Sequence, residues 1–294
     1  MNVAVIDVGS NTVRLLVASV EGTSVVQLRR ERYYLRLGDD VHGLGRISRE
    51  KLSEAGNVAR RFARLARKTG AEQLKTIVTA PGRQALNGTE LVRLFEHETG
   101  AVVVQLTGDD EGRLAWEGAV ARMDRIADSV AVIDLGGGSC ELAVGTPGLE
   151  PAWLRSVDAG ALRITRTHFG ARPTTAEQIA AARYQIRHLI ATFDPPRPDV
   201  ALVAGGTARA VGRVIGPTFD AEQLEGLAAT LERLAPESIV ASHGVTPERA
   251  QTLLGGTLVL AELAYRLETT LEVARGGLRE GAAIVLARAV LAAA

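Results

Sequence analysis

The sequence lacks several features on which common classes of protein depend. It has one cysteine, Cys140, in 294 residues, which excludes an internal disulfide and a zinc centre built on cysteine pairs. Its five histidines form no His-x-x-x-His pair, so a zinc hydrolase is not indicated. Lysine plus arginine and aspartate plus glutamate number 34 each. This balance gives no basic surface to support a nucleic acid as the main ligand.

Long apolar segments are also missing. No apolar run approaches the roughly 18 residues of a membrane span. The apolar start of the chain has no basic leader and is interrupted by Asp7. We therefore expect a cytoplasmic protein without a membrane partner. The length of 294 residues favours two domains, at roughly 150 residues for each.

The most informative feature that is present is an internal repeat. Residues 3–17, VAVIDVGSNTVRLLV, align without a gap with residues 130–144, VAVIDLGGGSCELAV, and eight of the fifteen positions are identical. Each copy has an apolar run, an Asp, a turn of small residues and a second apolar run. This pattern is typical of two strands joined by a tight turn. The repeat therefore predicts two domains of one topology.

Strands and helices alternate through the rest of the chain. The spacing of apolar residues predicts helices over residues 48–70, 90–98, 111–123 and 174–193, and from 247 onward. It predicts short strands at residues 74–79, 102–106 and 200–204, and near 271–274. This alternation predicts an α/β fold with largely parallel sheets.

The two turns of the repeat have the composition of phosphate sites. A turn of Gly, Ser, Asn and Thr exposes backbone N–H groups and hydroxyls to an anion, and glycine lets the backbone approach it closely. Asp7 and Asp134 precede the turns and would repel that anion unless a divalent cation lay between. Mg²⁺ is the natural candidate, because it accepts one or two carboxylates together with phosphate oxygens. Glu141, on the returning strand, is a candidate for holding a metal-bound water.

Other phosphate and hydrolase motifs are missing from the sequence. The motif G-x-x-x-x-G-K-[ST] does not occur, which excludes a P-loop enzyme. No G-x-G-x-x-G follows an early strand, which argues against a dinucleotide-binding unit. No G-x-S-x-G elbow is present. A water nucleophile is therefore expected.

Five blocks of the sequence, in chain order, resemble the exopolyphosphatase and guanosine pentaphosphate phosphatase family in its short two-domain form. They are IDVGSNTVRLLV, TAPGRQALN, TGDDEGRLAWEGA, DLGGGSCEL and GGLREG. The resemblance implies two duplicated ribonuclease-H-like domains of the actin, sugar kinase and Hsp70 superfamily, with an interdomain cleft. The expected domains are residues 1–125 and 126–279, with a C-terminal helix at about 280–294 packing back on the first.

The resemblance also implies an activity. The expected enzyme releases terminal orthophosphate from inorganic polyphosphate or guanosine pentaphosphate, depends on Mg²⁺ and is a homodimer. Glu111 matches the general base that activates the attacking water, and Asp134 is the second catalytic carboxylate. The implied metal ligands are Asp7, Asp134 and Glu141. The implied phosphate ligands are Gly9, Ser10, Asn11, Thr12, Arg14, Arg83, Asn87, Gly136, Gly137, Gly138, Ser139, Gly206 and Thr207.

Some interpretations stay open at this point. Ala80 and Gln84 depart from the family pattern, which leaves the placement of Arg83 undecided. Residues 109–111 also suit a helix N-terminus, where acids interact favourably with the helix dipole. Arg275 and Arg279, in RGGLREG, either have a structural role, by pairing with Glu280 or at a helix N-terminus, or contact ligand. Two other functions are an ATP-dependent small-molecule kinase of the same superfamily and a non-catalytic sensor of guanosine tetraphosphate or pentaphosphate.

Overall fold

The chain forms two compact units. The computed structural model describes residues 1–124, 126–170 and 174–293. Unit 1 comprises Met1–Arg122 together with the chain from Gly276 onward, and unit 2 comprises Met123–Arg275. The last helix of the sequence therefore belongs to the first unit. None of the helices within the described residues is both long and apolar enough to cross a membrane.

Each unit is a mixed β-sheet with helices. The elements of the first part of the chain are β1 (Asn2–Val8), β2 (Val13–Glu21), β3 (Ser24–Tyr33), α1 (Leu37–Leu44), α2 (Arg49–Lys68), β4 (Gln73–Val78), α3 (Ala80–Gln84), α4 (Gly88–Thr99), β5 (Val102–Gln105) and α5 (Gly108–Val120). Those of the second part are β6 (Val130–Leu135), β7 (Cys140–Gly145), β8 (Trp153–Val157), α6 (Ala161–His168), α7 (Ala176–Ile190), β9 (Val200–Ala204), α8 (Gly205–Ile215), β10 (Thr218–Phe219), α9 (Ala221–Leu231), α10 (Pro236–His243), α11 (Pro247–Leu267), β11 (Leu271–Val273) and α12 (Leu278–Ala292).

The two sheets share one topology. The strand order is β3-β2-β1-β4-β5 in unit 1 and β8-β7-β6-β9-β11-β10 in unit 2. In both sheets the first strand forms an antiparallel hairpin with the second and pairs in parallel with the first strand that follows a helical crossover. The two hairpins are the two copies of the sequence repeat, so the predicted strand-turn-strand units are confirmed.

The sheet of unit 1 is covered on both faces because β1 alternates its side chains. Ala4, Ile6 and Val8 pack in a core that includes α2 and α4. Val3 and Val5 point to the other face, where they pack against α12. Side chains along a strand alternate with a period of two. Asp7 therefore lies on the face that α12 covers.

The first residues of the helices agree with capping signals in the local sequence. Ser48 caps α2 by accepting a hydrogen bond from the N–H of Lys51 at 3.2 Å. Thr175 caps α7 in a capping box with Gln178.

The prediction of largely parallel sheets is wrong, since both sheets are mixed. The hairpins, together with the added strands β3 and β8, supply antiparallel pairs that the alternation of helices and strands does not reveal.

Candidate active site

The first turn, at residues 9–12, presents unpaired backbone donors. It closes through a hydrogen bond of 3.0 Å from the N–H of Gly9 to the carbonyl of Thr12. Among the described residues, none accepts a hydrogen bond from the backbone N–H of Ser10, Asn11 or Thr12. Ser10 and Thr12 are buried, and a buried N–H without a partner is unfavourable. The turn is therefore suited to binding an anion.

The turn at residues 136–139 has the same construction in unit 2. The N–H of Gly136 donates to the carbonyl of Ser139 at 3.1 Å. Within the part of the chain that the structure describes, no acceptor faces the N–H of Gly137, Gly138 or Ser139. The three unpaired donors stand at the same repeat positions as those of the first turn. Each unit thus carries a concave set of donors of the kind that binds phosphate oxygens.

The carbonyl groups of both turns are held by the start of a helix. The N–H of Gly38, in α1, donates to the carbonyl of Ser10 at 2.7 Å. In unit 2 the N–H groups of Leu162 and Arg163, in α6, both donate to the carbonyl of Gly137 at 3.0 Å. Gly160 permits this approach, since a Cβ there would lie 2.3 Å from the carbonyl carbon of Gly137. Engaging the carbonyls in this way leaves the N–H groups as the free side of each turn.

Asp7 is a buried carboxylate without a hydrogen-bond donor among the described residues. It is the second-last residue of β1 and lies opposite Arg14 of β2. Burial raises the pKa of Asp7 above its ordinary value of 3.8, the positive charges of Arg14 and Arg279 oppose that rise, and the negative charge of Glu280 adds to it. Arg14 is also tied to the turn, because its Nε donates to Thr12 Oγ1 at 3.0 Å.

The corresponding position in unit 2 brings two acids together. Asp134 of β6 lies directly opposite Glu141 of β7, where the first copy has an aspartate opposite an arginine. Glu141 is buried and accepts a hydrogen bond of 2.8 Å from Ser156 Oγ. Like charges directly opposite each other in a sheet are unfavourable, and a cation removes that cost.

The carboxylates beside the two turns are ligands of the kind that Mg²⁺ accepts, but they do not complete the coordination of a metal by protein atoms alone. Mg²⁺ keeps several waters and is bound through one or two carboxylates plus substrate phosphates. Asp134 and Glu141 supply two facing carboxylates, and Asp7 supplies a buried carboxylate without a donor. No group of three or more His, Cys, Asp or Glu side chains suited to a metal occurs in the described residues. The facing carboxylates of Asp134 and Glu141 in unit 2 therefore suit a metal that is shared with a phosphate ligand.

Glu111 and Arg83 form a buried ion pair in unit 1. Arg83 Nη1 donates to Glu111 Oε1 and, at 2.6 Å, to the carbonyl of Leu106. The side chain of Glu111 is 7% exposed and that of Arg83 is 23% exposed. The placement of Arg83, which the departures at Ala80 and Gln84 left undecided, is therefore beside Glu111. The pair holds Glu111 as an oriented carboxylate.

The helix that carries Glu111 begins earlier than the sequence pattern predicts. The predicted start was residue 111, whereas α5 begins at Gly108. Thr107 and Asp110 form a capping box, in which Thr107 Oγ1 accepts from the N–H of Asp110 at 3.1 Å and Asp110 accepts from the N–H of Thr107 at 3.0 Å. The hydrogen bonds from Thr107 lower the pKa of Asp110. The expectation that Asp110 acts as a cap is confirmed, and Glu111 is left for another role.

Three strand ends bring the unit 1 residues to one edge of the sheet. β1, β4 and β5 are parallel neighbours, so their carboxyl ends lie side by side. The first turn follows β1, Thr79 and Arg83 follow β4, and Glu111 follows β5. Thr79 joins the first two ends, because its Oγ1 donates to the carbonyl of Val8 at 3.2 Å. Ligands of open α/β sheets bind outside the carboxyl ends of the strands.

Two predicted phosphate ligands have their side chains engaged elsewhere. Asn87 Oδ1 accepts from the N–H of Ile47 at 2.8 Å, and Asn87 Nδ2 donates to the carbonyl of Ile47 at 3.0 Å. Thr207 is fully buried, and its Oγ1 accepts from Arg249 Nη1 at 3.0 Å. Both contacts stabilise the fold. The neighbouring Gly206, at the start of α8, stays half-buried.

Two arginines reach the unit 2 residues without a signal in the sequence. Arg163 Nε donates to the carbonyl of Gly138 at 3.1 Å, and Arg249 contacts Thr207. They lie 25 and 42 residues away from these partners along the chain. No local motif marks them, and only tertiary packing brings them close. Cys140, in contrast, is buried as expected, and burial raises the pKa of its thiol well above the ordinary value.

Comparison with known proteins places these features in a family. Residues 16–288 match the model of the Ppx/GppA phosphatase family. An uncharacterized protein of Streptomyces coelicolor is 32% identical over 222 residues, which are 74% of this chain and 66% of that protein. Exopolyphosphatase 1 of Mycobacterium tuberculosis is 28% identical over 300 residues, covering 96% of this chain and 87% of that protein.

A solved structure extends the likeness to the fold. The crystal structure of the Aquifex aeolicus member of the Ppx/GppA protein family superposes with a TM-score of 0.82 at 26% identity, covering 99% of this chain and 98% of that one. The predicted fold class, two duplicated α/β domains, is confirmed by this likeness and by the strand order that the two sheets share. The chain belongs to the Ppx/GppA phosphatase family.

Proposed function

We propose that this protein hydrolyses the terminal phosphoanhydride bond of inorganic polyphosphate and releases orthophosphate. Its membership of a phosphatase family and its similarity to Exopolyphosphatase 1 support the reaction and the substrate. One structural observation carries the proposal. The turn at residues 9–12 offers three backbone donors without acceptors among the described residues, and it shares a sheet edge with Arg83 and Glu111.

In the proposed reaction water attacks the terminal phosphorus atom. Glu111 accepts one proton from that water, the bond from phosphorus to the bridging oxygen breaks, and the shortened chain leaves with the electron pair. The hydrogen bond from Arg83 orients the Glu111 side chain that accepts the proton. General-base assistance of this kind is worth about 10² to 10⁴ in rate. Donors aimed at the phosphoryl oxygens stabilise the charge that develops on them.

We also propose that the enzyme uses Mg²⁺. In unit 2 the residues that would hold it are Asp134 and Glu141, and Asp7 is the corresponding candidate ligand of unit 1. When bound, Mg²⁺ neutralises negative charge on a phosphate chain and polarises its oxygens. The protein's own share is to present carboxylates beside N–H donors, so that the cation and the phosphate oxygens are bound together.

Guanosine pentaphosphate is a further proposed substrate, because it presents the same terminal phosphoanhydride to the same residues. Orthophosphate release should be measured with Mg²⁺ from polyphosphates of defined length and from guanosine pentaphosphate in parallel. Release from both would give the enzyme both activities. Release from polyphosphate alone would limit the function to an exopolyphosphatase.

The decisive variant is Glu111→Gln, which keeps the shape of the side chain and removes the base. We expect kcat to fall by about 10² to 10⁴. Asp110→Asn is the matched control, because it changes the adjacent acid, which belongs to the capping box. It should lose stability and keep most of the activity. Phosphate release by Glu111→Gln at the wild-type rate would contradict the proposed role.

A further inference from the structure

Arg279 is a buried arginine without a hydrogen-bond or ion-pair partner among the described residues. It is the second residue of α12 and is 8% exposed. No described residue accepts a hydrogen bond from its guanidinium or forms an ion pair with it. The neighbouring Glu280 pairs with Arg30 of β3 at 2.5 Å. Of the roles that the sequence left open for Arg279, pairing with Glu280 is therefore not the one observed, and its place in the first turn of α12 is the other structural role considered.

A buried guanidinium without an acceptor is unusual, because its five N–H donors lose water and gain nothing in exchange. The nitrogen atoms of Arg279 are not sealed from solvent. Among the described residues, the one fully enclosed side-chain nitrogen or oxygen without a hydrogen-bond partner is Thr76 Oγ1. The guanidinium therefore keeps some contact with solvent, which is the side from which an anion would approach it.

The position of Arg279 relates it to the first turn. Asp7 lies on the sheet face that α12 covers, and the charge of Arg279 acts on the carboxylate of Asp7. Asp7 directly precedes the turn whose N–H groups at Ser10, Asn11 and Thr12 lack acceptors in the described residues. Unpaired cationic and backbone donors thus occur together in unit 1.

The first turn of α12 is also held firmly in place. A Cβ at Gly281 would lie 1.9 Å from the carbonyl oxygen of Leu114, and one at Gly276 would lie 1.9 Å from that of Gly118. The backbones of α12 and α5 are therefore in direct contact on either side of Arg279. Side chains on rigid elements give more precise sites than side chains on loops. α5 is also the helix that carries Glu111.

We infer that Arg279 binds the oxygens of the terminal phosphoryl group, so that unit 1 contains an orthophosphate site formed by Arg279 and the turn at residues 9–12. This inference rests on the proposed function for the identity of the substrate. The planar fork of an arginine matches two oxygens of one phosphate. The oxygens of the anion would accept hydrogen bonds from the guanidinium and from the backbone N–H groups, for which the described residues provide no acceptor.

The test uses inorganic phosphate as the probe and requires no turnover. Its binding is measured by calorimetry, and the midpoint of thermal unfolding is followed with and without phosphate. For Arg279→Met we expect the dissociation constant to rise about 10- to 100-fold, the range for a lost charged hydrogen bond. The midpoint without phosphate does not decide the question, because removing Arg279 removes both a buried charge and its attraction for the Asp7 carboxylate. The upward shift that added phosphate gives the wild type should be lost in Arg279→Met, whereas a purely structural arginine would leave that phosphate-dependent shift in place.

Two variants make the test specific. Arg288→Met lies on the same helix and removes an exposed arginine paired with Glu117, so it should bind phosphate as the wild type does. Arg279→Lys keeps the charge without the fork and should weaken binding by about tenfold. It decides the question if Arg279→Met does not fold.

The outcomes separate this inference from the proposed function. Wild-type phosphate affinity in Arg279→Met, or no phosphate binding by the wild type, overturns the inference. Orthophosphate binding through Arg279 in a protein that releases no phosphate from polyphosphate leaves the inference intact and removes the proposed function. If Arg279→Met hydrolyses polyphosphate at the wild-type rate, the inference is overturned and the proposed function stands.

Discussion

Arg83 donates a hydrogen bond to Glu111 across 28 residues of sequence, and this contact links the end of β4 to the first turn of α5. Arg83 Nη1 also donates a hydrogen bond to the carbonyl of Leu106, so two acceptors fix the position of this nitrogen. A general base needs to be oriented, and this contact fixes the orientation of the Glu111 side chain.

The first prediction separates the structural and the catalytic contributions of this pair. Arg83→Met removes the ion-pair partner of the buried Glu111 carboxylate and should lower the free energy of unfolding by about 1–3 kcal/mol. The double variant Arg83→Met/Glu111→Leu removes both charges and should recover most of that loss in urea unfolding. Activity should stay at least about 10²-fold below wild type in the single and the double variant. Recovery of activity together with stability would show that the pair is only structural.

A control for this experiment is available on the same helix. Arg113 and Asp110 form an exposed pair with a nitrogen to oxygen distance of 4.0 Å. Exposed pairs contribute about 0–1 kcal/mol. Arg113→Met should therefore change neither the free energy of unfolding nor phosphate release appreciably.

The second prediction concerns pH and Asp7. Burial raises the pKa of Asp7, so the folded protein disfavours the ionised carboxylate more than the unfolded chain does. The protonated Asp7 carboxyl therefore contributes a stabilisation of the folded state. This stabilisation is complete below the ordinary pKa of 3.8 and is lost as the pH rises through the raised pKa of the folded protein. Asp7→Asn should therefore be more stable than the wild type at pH 7 in EDTA, with the difference vanishing toward pH 3. Urea titrations across this range measure it, and a pH-independent difference would contradict the assigned cause.

Local sequence determined which parts of the fold were predictable. The two hairpins followed from apolar runs of period two around turn residues, and the cap of α2 followed from Ser48. These signals act over a few residues. The sheet type was misjudged because pairing of β2 with β3 and of β7 with β8 depends on partners that periodicity does not specify.

The site was predictable to the extent that it is made of backbone. The sequence indicated both turns, and the structure adds that three consecutive N–H groups in each lack acceptors among the described residues. Long polar side chains were less predictable, because their partners are distant in sequence. The sequence does not show that Asn87 hydrogen-bonds to the backbone of Ile47, or that Arg163 contacts Gly138.

The third prediction follows from the buried hydroxyl of Thr76. This side chain is fully buried, and its Oγ1 has no hydrogen-bond partner among the described residues. Thr76→Val replaces the hydroxyl by a methyl group of similar size and should raise the free energy of unfolding by about 1 kcal/mol. Thr99→Val is the matched control, since Thr99 Oγ1 donates to the carbonyl of Phe95 at 2.7 Å, and it should lose about the same amount. A loss of stability in Thr76→Val would show that the hydroxyl has a partner in solution.

The fourth prediction tests the backbone contact between α5 and α12. A Cβ at Gly281 would lie 1.9 Å from the carbonyl oxygen of Leu114, and one at Gly118 would lie 2.1 Å from that of Gly277. The helices must move apart to admit a methyl group, so Gly281→Ala and Gly118→Ala should each lower the free energy of unfolding by about 3 kcal/mol or more. Gly226→Ala is the control, because a Cβ in α9 would meet nothing within 4 Å. It should raise the free energy by about 0.5–1 kcal/mol through helix propensity. Because α5 carries Glu111 and α12 carries Arg279, the two destabilised variants should also lose phosphate affinity below their unfolding midpoints, which Gly226→Ala should retain.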